Sequence, residues 1–339
     1  HLMYVPVKGG EQAIAASRIA VERSRRGDDT IPEIEINQIM AQMSLALDRI
    51  MSEGGLYDRR FAAIAFKQAQ GDIAEAVFLV RAHRAQLANF GSSQNIDLKT
   101  MHYSRHISAT QKELAGGQIL GATYDYTHRL LNMDLEHSRP QCELPKSVIT
   151  APSSPSSSEP LYADLIRTEI SKAPIDITRT VLPSLPDPCE RLAHLARGEE
   201  GYLTGLAYES LRKASTSHPY VAQLMRGSVE IFVELEDLNL TVSIGEVELT
   251  ACTTVAPNFS SSPHLEAGFG IAFGANERKA VAMAIVDQHF KIEGATSDAL
   301  MHTDGVAASG YVSHLKLPHY SDFDADLARL RRVQAKEEI

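Results

Sequence analysis

The stretch Ser228-Val-Glu-Ile-Phe-Val-Glu-Leu-Glu236 decides the fold class. Val229, Ile231, Val233 and Leu235 alternate with Glu230, Phe232, Glu234 and Glu236, a period of two that predicts a strand with one packed and one wet, acidic face. The alternation resumes at Leu238, Leu240, Val242 and Ile244. Gly245-Glu246 then reads as a turn into Val247 and Leu249, which gives an antiparallel meander. His264 to Phe273 adds a further strand. Asn276 is expected to cap a helix running to about His289. Ser321 or Asp322 is expected to cap a last helix with Leu327, Leu330 and Val333 on its apolar face.

Upstream of the strands the period is helical. Ile36, Ile39, Met40, Met43, Leu47, Ile50 and Met51 share one face, and Gly54-Gly55 stops that helix. Asp58 caps a second segment carrying Phe61, Ile64 and Ala65. Asp72 and Glu75 form a variant capping box for a third, with Ile73, Ala76, Val77 and Val80 on its face. Helices followed by an antiparallel sheet and closing helices make the chain α+β. Its expected organisation is a mainly helical N-terminal domain at 3–138, a Pro/Ser-rich linker or surface excursion at 139–160, and an α+β domain at 161–339.

The 339 residues include 44% hydrophobic and 22% charged side chains, which suits a chain able to bury a sizeable core. His1 and Leu2 read as a cloning remnant before Met3, and no signal peptide is expected after it. The longest apolar run, Ala280 to Val286, is far too short to span a membrane. Cys142, Cys189 and Cys252 are widely spaced and form no disulfide framework, so a reducing cytoplasm is expected. A net charge of −10 argues against nucleic-acid binding. A phosphorylated small molecule would then need a local basic pocket or a divalent cation.

Four stretches could carry chemistry. His314 and His319 stand in Gly310-Tyr-Val-Ser-His-Leu-Lys-Leu-Pro-His-Tyr320, where Pro318 prevents one regular helix. An extended or turned run could converge both imidazoles on one ion. Two ligands leave such a site open, and a hydrogen-bonded surface pair is the alternative. Gly116 and Gly117 open Gly116-Gly-Gln-Ile-Leu-Gly121, which leads to Asp125, His128 and Arg129. That is either a backbone cradle or a glycine turn before an ordinary helix on which Asp125 and His128 share a face. Gly268-Phe-Gly-Ile-Ala-Phe-Gly274 precedes a helix N-terminus, as an anion cradle would. It lacks the dinucleotide and Walker spacings, and a bent or bulged strand explains it equally. Asp304, in His302-Thr-Asp-Gly305, is an acid beside the histidine pair or part of an Asp-Gly turn. No nucleophile elbow or cysteine nucleophile motif is present.

Several longer stretches carry a family likeness together. They are Met3-Tyr-Val-Pro-Val-Lys-Gly-Gly-Glu11, Ser52-Glu-Gly-Gly-Leu-Tyr57, Gly116 to Gly121 with Asp125-Tyr-Thr-His-Arg-Leu-Leu131, His218-Pro-Tyr-Val221, Phe273-Gly-Ala-Asn-Glu-Arg-Lys-Ala-Val-Ala-Met-Ala-Ile-Val-Asp287, and Ser313-His-Leu-Lys-Leu-Pro-His-Tyr320. The chain resembles the PhnI subunit family of the bacterial carbon–phosphorus lyase system. The likeness runs from Met3 to the last helix, and 139–160 is its least typical part.

The resemblance implies a transferase subunit that acts with other core subunits. It replaces the adenine of ATP by an alkylphosphonate, giving a ribose 1-alkylphosphonate 5-triphosphate in phosphonate catabolism. Alone, such a subunit is associated with purine nucleosidase activity on ATP or GTP. A non-catalytic assembly role is a further reading. The family's paired histidines map onto His314 and His319, and the resemblance implies that they hold zinc at the interface with the radical-SAM lyase subunit. Side-chain chemistry adds Asp304 or His128 for proton transfer, Arg129 and Lys316 for phosphate, and Mg²⁺ accompanying ATP.

Overall fold

A computed structural model describes residues 10–114, 117–137, 162–167, 176–181, 183–213, 218–235, 238–260, 262–294 and 296–337. The expected linker at 139–160 lies outside them. The chain is α+β, as its periodicities indicate.

Four N-terminal helices follow a first helix, α1 (Glu11–Arg26), none of whose residues is buried. They are α2 (Ile36–Gln42), α3 (Ser44–Gly54), α4 (Arg59–Gln68) and α5 (Ile73–Arg84). The apolar stripe from Ile36 to Met51 is thus two helices rather than one, divided at Met43 where the backbone leaves helical angles. Gly55, left-handed at φ +66°, ends α3. Asp58 accepts from the Phe61 N–H, and Asp72 from those of Ala74 and Glu75, so both expected caps form. Leu47, Ile50, Met51, Ala63, Ala76 and Val77 are wholly buried where these helices meet.

The sheet runs β1 (His102–Ile107), β2 (Tyr220–Leu235), β3 (Leu240–Asn258), β4 (His264–Phe273) in that spatial order, every pair antiparallel. The expected strands at 228–235 and 264–273 are present. Gly245-Glu246 does not turn the chain. Ile231 faces Gly245 and Phe232 faces Ser243, so Ile244 is the extra residue of a β-bulge inside one long strand. Gly245, at φ +131°, takes a backbone conformation closed to most side chains. The packed face also stops there: Val229 is buried, whereas Leu240 and Ile244 stand in solvent on a projecting ribbon.

Helix α8 (Glu277–Glu293) lies against the sheet, beside α6 (Pro188–Arg197) and α7 (Glu200–Lys213). It is buried on most sides, which explains its nearly uninterrupted apolar run. Gly268 and Gly270 on β4 let it approach. A Cβ at Gly270 would stand 2.0 Å from the carbonyl oxygen of Ala280, and one at Gly268 1.9 Å from that of Ala284. Gly268 and Gly270 therefore serve helix-on-strand contact in a regular strand, not the bend or bulge weighed from the sequence. Gly274, just past the strand at φ +67°, makes room for Asp48. Helices α9 (Ser297–Met301), α10 (Gly305–His314) and α11 (Tyr320–Glu337) complete the chain. The last begins at Tyr320, so Ser321 and Asp322 lie within its first turn rather than capping it.

Gly270→Ala is expected to cost about 1–3 kcal/mol, the range for forced overpacking, because backbone rather than a movable side chain occupies the space. Urea denaturation tests this, and a wild-type midpoint would show that α8 can shift freely.

Candidate functional site

A cavity of about 2110 Å³ opens where the N-terminus of α8 meets β1, β2, α3, α7 and the segment 118–131. It exceeds the roughly 300–1,000 Å³ of ordinary small-molecule pockets. Five arginines line it, namely Arg49, Arg105, Arg129, Arg226 and Arg278, against three carboxylates, Asp125, Glu200 and Glu277. A chain of net charge −10 thus turns a locally positive surface into this hollow. Tyr124, Tyr126, Tyr208, Val281 and Ile285 give the same hollow an apolar, partly aromatic lining.

The charges are organised around the first turn of α8. Arg105, wholly buried on β1, places Nε 3.0 Å from Glu277 Oε1 and an NH2 2.5 Å from Asp125. It also donates to the Leu120 carbonyl. Arg226 on β2 reaches the same Glu277 oxygen at 3.4 Å and donates to Ser104 Oγ and the Ala122 carbonyl. Arg278, mostly exposed, pairs with Glu200 at 3.1 Å. Arg49 bridges Glu53 and Glu199. Burial raises the Glu277 carboxyl above the ordinary carboxylate range against the opposing pull of Arg105 and Arg226.

The 122–129 segment is a turn, not the expected helix. The Thr127 N–H donates to the Tyr124 carbonyl and Arg129 is left-handed at φ +49°. Asp125 therefore turns inward to Arg105 while His128 stays exposed, and no helical face joins them. Arg129 lines the cavity. Gly116 lies outside the described residues. A Cβ on Gly117, at φ +79°, would meet nothing within 4 Å, and it is Gln118 that lines the hollow.

The histidine pair lies elsewhere. His314 closes α10, His319 precedes α11, and Pro318 stands between, so the run folds as a turn between two helices. Their Nε2 atoms are 3.1 Å apart with the rings near-perpendicular at 87°. Two nitrogens on one tetrahedral zinc stand roughly 3.3 Å apart for Zn–N bonds of about 2.0–2.1 Å, so the pair fits such an ion. His319 Nδ1 lies 2.6 Å from the Leu317 carbonyl, which can only accept. The proton is thereby held on Nδ1, and Nε2 carries the lone pair that a metal needs. Among the described residues, no group of three or more His, Cys, Asp or Glu could hold a metal. Lys316 stands exposed in the same turn.

A family model for the bacterial phosphonate metabolism protein PhnI matches residues 3–337. The chain belongs to the PhnI family. It is 43% identical to the α-D-ribose 1-methylphosphonate 5-triphosphate synthase subunit PhnI of Escherichia coli (strain K12), over 99% of both chains. It is 40% identical to the same-named subunit of Rhizobium meliloti (strain 1021), over 99% of this chain and 96% of that one.

In this PhnI-family chain Asp304 has structural employment. It caps α10 by accepting from the Val306 and Ala307 N–H groups, and both its oxygens receive Arg81 NH1, at 2.7 and 2.8 Å. Burial pushes its carboxyl up, but Arg81 and the helix amide outweigh that and hold it below the ordinary range. A carboxylate so held is a clamp between α5 and α10 and a poor proton donor at neutral pH. Arg49, Arg105, Arg226, Arg278 and Glu277 were not singled out from the sequence. Three of them, Arg49, Arg105 and Arg226, lie on separate elements with no local motif. Only the Asn276-Glu-Arg-Lys279 run, inside a family stretch, offered a signal.

Asp304→Ala is expected to lower stability at neutral pH by about 1–2 kcal/mol, the range of a lost N-cap. The folded carboxyl sits below its ordinary value near 3.8, so its contribution is present above that value and is lost as pH falls through the folded pKa. Urea denaturation across pH checks this. A deficit that persists unchanged into strong acid would mean that the charge of Asp304 plays no part.

Proposed function

We propose that this chain is the ribosyl-transferring subunit of a carbon–phosphorus lyase core. With partner subunits it exchanges the adenine of ATP for an alkylphosphonate, giving a ribose 1-alkylphosphonate 5-triphosphate for phosphonate catabolism. The observation that carries the reading is the arginine-lined cavity. It combines room for a nucleotide with a positive wall and an apolar, tyrosine-bearing one, and it lies in a chain aligned end to end with subunits named for that synthase.

The chemistry sets three demands. The bond from ribose C1′ to the purine nitrogen breaks, and adenine leaves with the electron pair and takes up a proton. Positive charge builds on the sugar meanwhile, as in O-glycoside cleavage. A phosphonate oxygen, already anionic, then forms the bond to C1′, so positioning weighs more than deprotonation. The arginine wall, Arg129 included, would neutralise the triphosphate together with the Mg²⁺ that accompanies ATP. For the departing purine's proton, His128 beside the cavity-lining segment is the better placed of the two acids named from sequence, since Asp304 is clamped. Water in place of phosphonate would make the same cavity a purine nucleosidase acting on ATP or GTP.

His314 and His319 would hold a zinc ion whose remaining ligands come from a partner, the radical-SAM lyase subunit in our reading. Zinc there would supply a Lewis acid and an anchor for an anionic ligand, with Lys316 as a neighbouring cation. The two-ligand geometry and the fixed tautomer of His319 support this. ATP as substrate places the reaction in the cytoplasm. None of the described helices is long and apolar enough to cross a membrane.

Phosphorus NMR of ATP plus methylphosphonate is expected to show the ribose phosphonate triphosphate only when partner subunits are added to this chain. Free adenine without that product in every mixture would replace the transferase reading by the nucleosidase. No turnover in an assembled complex would leave a scaffold.

His314→Ala and His319→Ala are each expected to strip zinc from the assembled complex, measured by elemental analysis, while the ribosyl transfer persists. Full zinc occupancy in both variants would remove the metal role.

A further inference from the structure

The first turn of α8 has an unmet hydrogen-bonding capacity. Its cap residue, Asn276, makes no side-chain bond to the helix, although asparagine is among the best residues for that task. Asn276 is only 7% exposed, lines the cavity, and its Nδ2 has no hydrogen-bond partner. An unpartnered buried amide is costly, and an acceptor atom of a ligand in the cavity that it lines would relieve that cost. The preceding N–H groups are already committed, that of Gly274 to the Glu248 carbonyl and that of Ala275 to Asp48. The donors without a cap therefore start at Asn276 and run into a helix of 17 residues, whose dipole favours an anion at this end.

The surrounding charges divide by how firmly they are held. Arg105 is caged by Glu277, Asp125 and the Leu120 carbonyl and serves as framework. Arg226 has only long contacts, to Glu277 at 3.4 Å, the Ala122 carbonyl at 3.3 Å and Ser104 Oγ at 3.2 Å, which leave one N–H on each terminal nitrogen. Arg278 is largely exposed with Glu200 as its partner. Both have donors to spare. Glu277 stands where an incoming anion would compete for Arg226. Burial already favours its neutral form, which lowers the cost of yielding that arginine.

We propose that the N-terminus of α8, with the Asn276 amide, Arg226 and Arg278, seats the terminal phosphates of the nucleotide, and that Glu277 holds Arg226 in place when the seat is empty. The ligand's identity as a nucleoside triphosphate rests on the ribosyl-transfer reading. The anion seat itself rests on the geometry. The seat binds by phosphate number: it discriminates triphosphate from monophosphate, while the apolar wall takes the base.

The test is calorimetric titration of the full chain, alone and assembled with its partner subunits, with ATP, AMP and inorganic tripolyphosphate in Mg²⁺. Wild type is expected to prefer ATP over AMP by roughly tenfold or more, the scale of one or two charge-assisted hydrogen bonds. Asn276→Asp keeps a good cap residue but substitutes a negative charge for the donor, and it should bring that ratio close to one. Arg278→Ala, at an exposed position that folding tolerates, should reduce the ratio about threefold or more. Glu277→Gln should leave it unchanged or raise it. No preference for ATP in either preparation, or a wild-type ratio in both Asn276→Asp and Arg278→Ala, overturns the seat. Failure of the transferase reading is separate. If no mixture makes the phosphonate product while the ratios respond as stated, the seat stands and the assigned reaction falls. If product forms with unchanged ATP dependence in both variants, the reaction stands and the seat falls.

Discussion

The backbone contact between β4 and α8 is the constraint on which the rest of the structure depends. Glycine at 268 and 270 removes the Cβ atoms that would hold the helix away, so the Ala280 and Ala284 carbonyls come down onto the strand. Side chains fix the register of that contact. The Thr254 hydroxyl donates to the Ala284 carbonyl, and the wholly buried Asp287 accepts from the Phe269 N–H while pairing with Arg191 at 2.7 Å and Lys291 at 3.1 Å. Breaking a buried pair of this kind costs about 3–5 kcal/mol, more than an ordinary apolar contact of this helix returns. A helix held this closely presents its first turn at a fixed height above β1 and β2. Arg105 and Arg226 come from those strands, and their meeting at Glu277 follows from that height.

The helical N-terminal module is joined to this core by polar contacts of the same kind. Asp48, 1% exposed, pairs with Arg59 and accepts from the Ala275 N–H, and Ser52 Oγ accepts from the Phe273 N–H. Gly274 has no room for a side chain because the Asp48 carboxylate occupies it. Lys279, wholly buried one turn into α8, donates to the Gly198 carbonyl, and burial lowers its pKa to about 8 despite the attraction of Glu53 and Glu200. These groups join α3, α6 and α8 where the cavity wall begins. Isolated surface ion pairs are worth little, but pairs fixed by burial and backbone partners set geometry.

What the sequence made legible was what it encodes locally. The alternation at 229–235 and the caps at Asp58 and Asp72 depend on residues a few positions apart, and each appears where its pattern falls. Gly245 was misread because some bulges and some turns alike place a glycine at positive φ, and only the partner strand distinguishes them. The histidine pair was legible because five residues and one proline confine both rings. The cavity was not. Its arginines come from positions 49, 105, 129, 226 and 278, and no spacing rule relates residues brought together by sheet order and helix packing. Asp304 is the converse case, since an acid close in sequence to two histidines is engaged as a cap and as the partner of Arg81, which no local spacing announces.

The two chemical features of the chain share no lining residue, and different elements hold them. The cavity belongs to α8 and the sheet. The histidine turn follows α10, which is tied to α5 by the Asp304–Arg81 clamp. The residues that line the cavity come from several elements of this one chain. The histidine turn is the opposite case. It offers two imidazole nitrogens 3.1 Å apart on an exposed surface, that of His319 with a defined lone pair, flanked by the exposed side chains of Tyr311, Leu315 and Tyr320. Under the proposed zinc role, two ligands would bind the metal weakly and gain strength only when a second surface brought the rest, so metal affinity at the turn would measure assembly. In the proposed reading, nucleotide contacts would come from this chain's own packing, while the transfer itself and the metal would both wait on partner subunits. If the proposed reaction and the proposed metal role both hold, this division favours a covalent product made first in the cavity and passed to the shared metal afterwards.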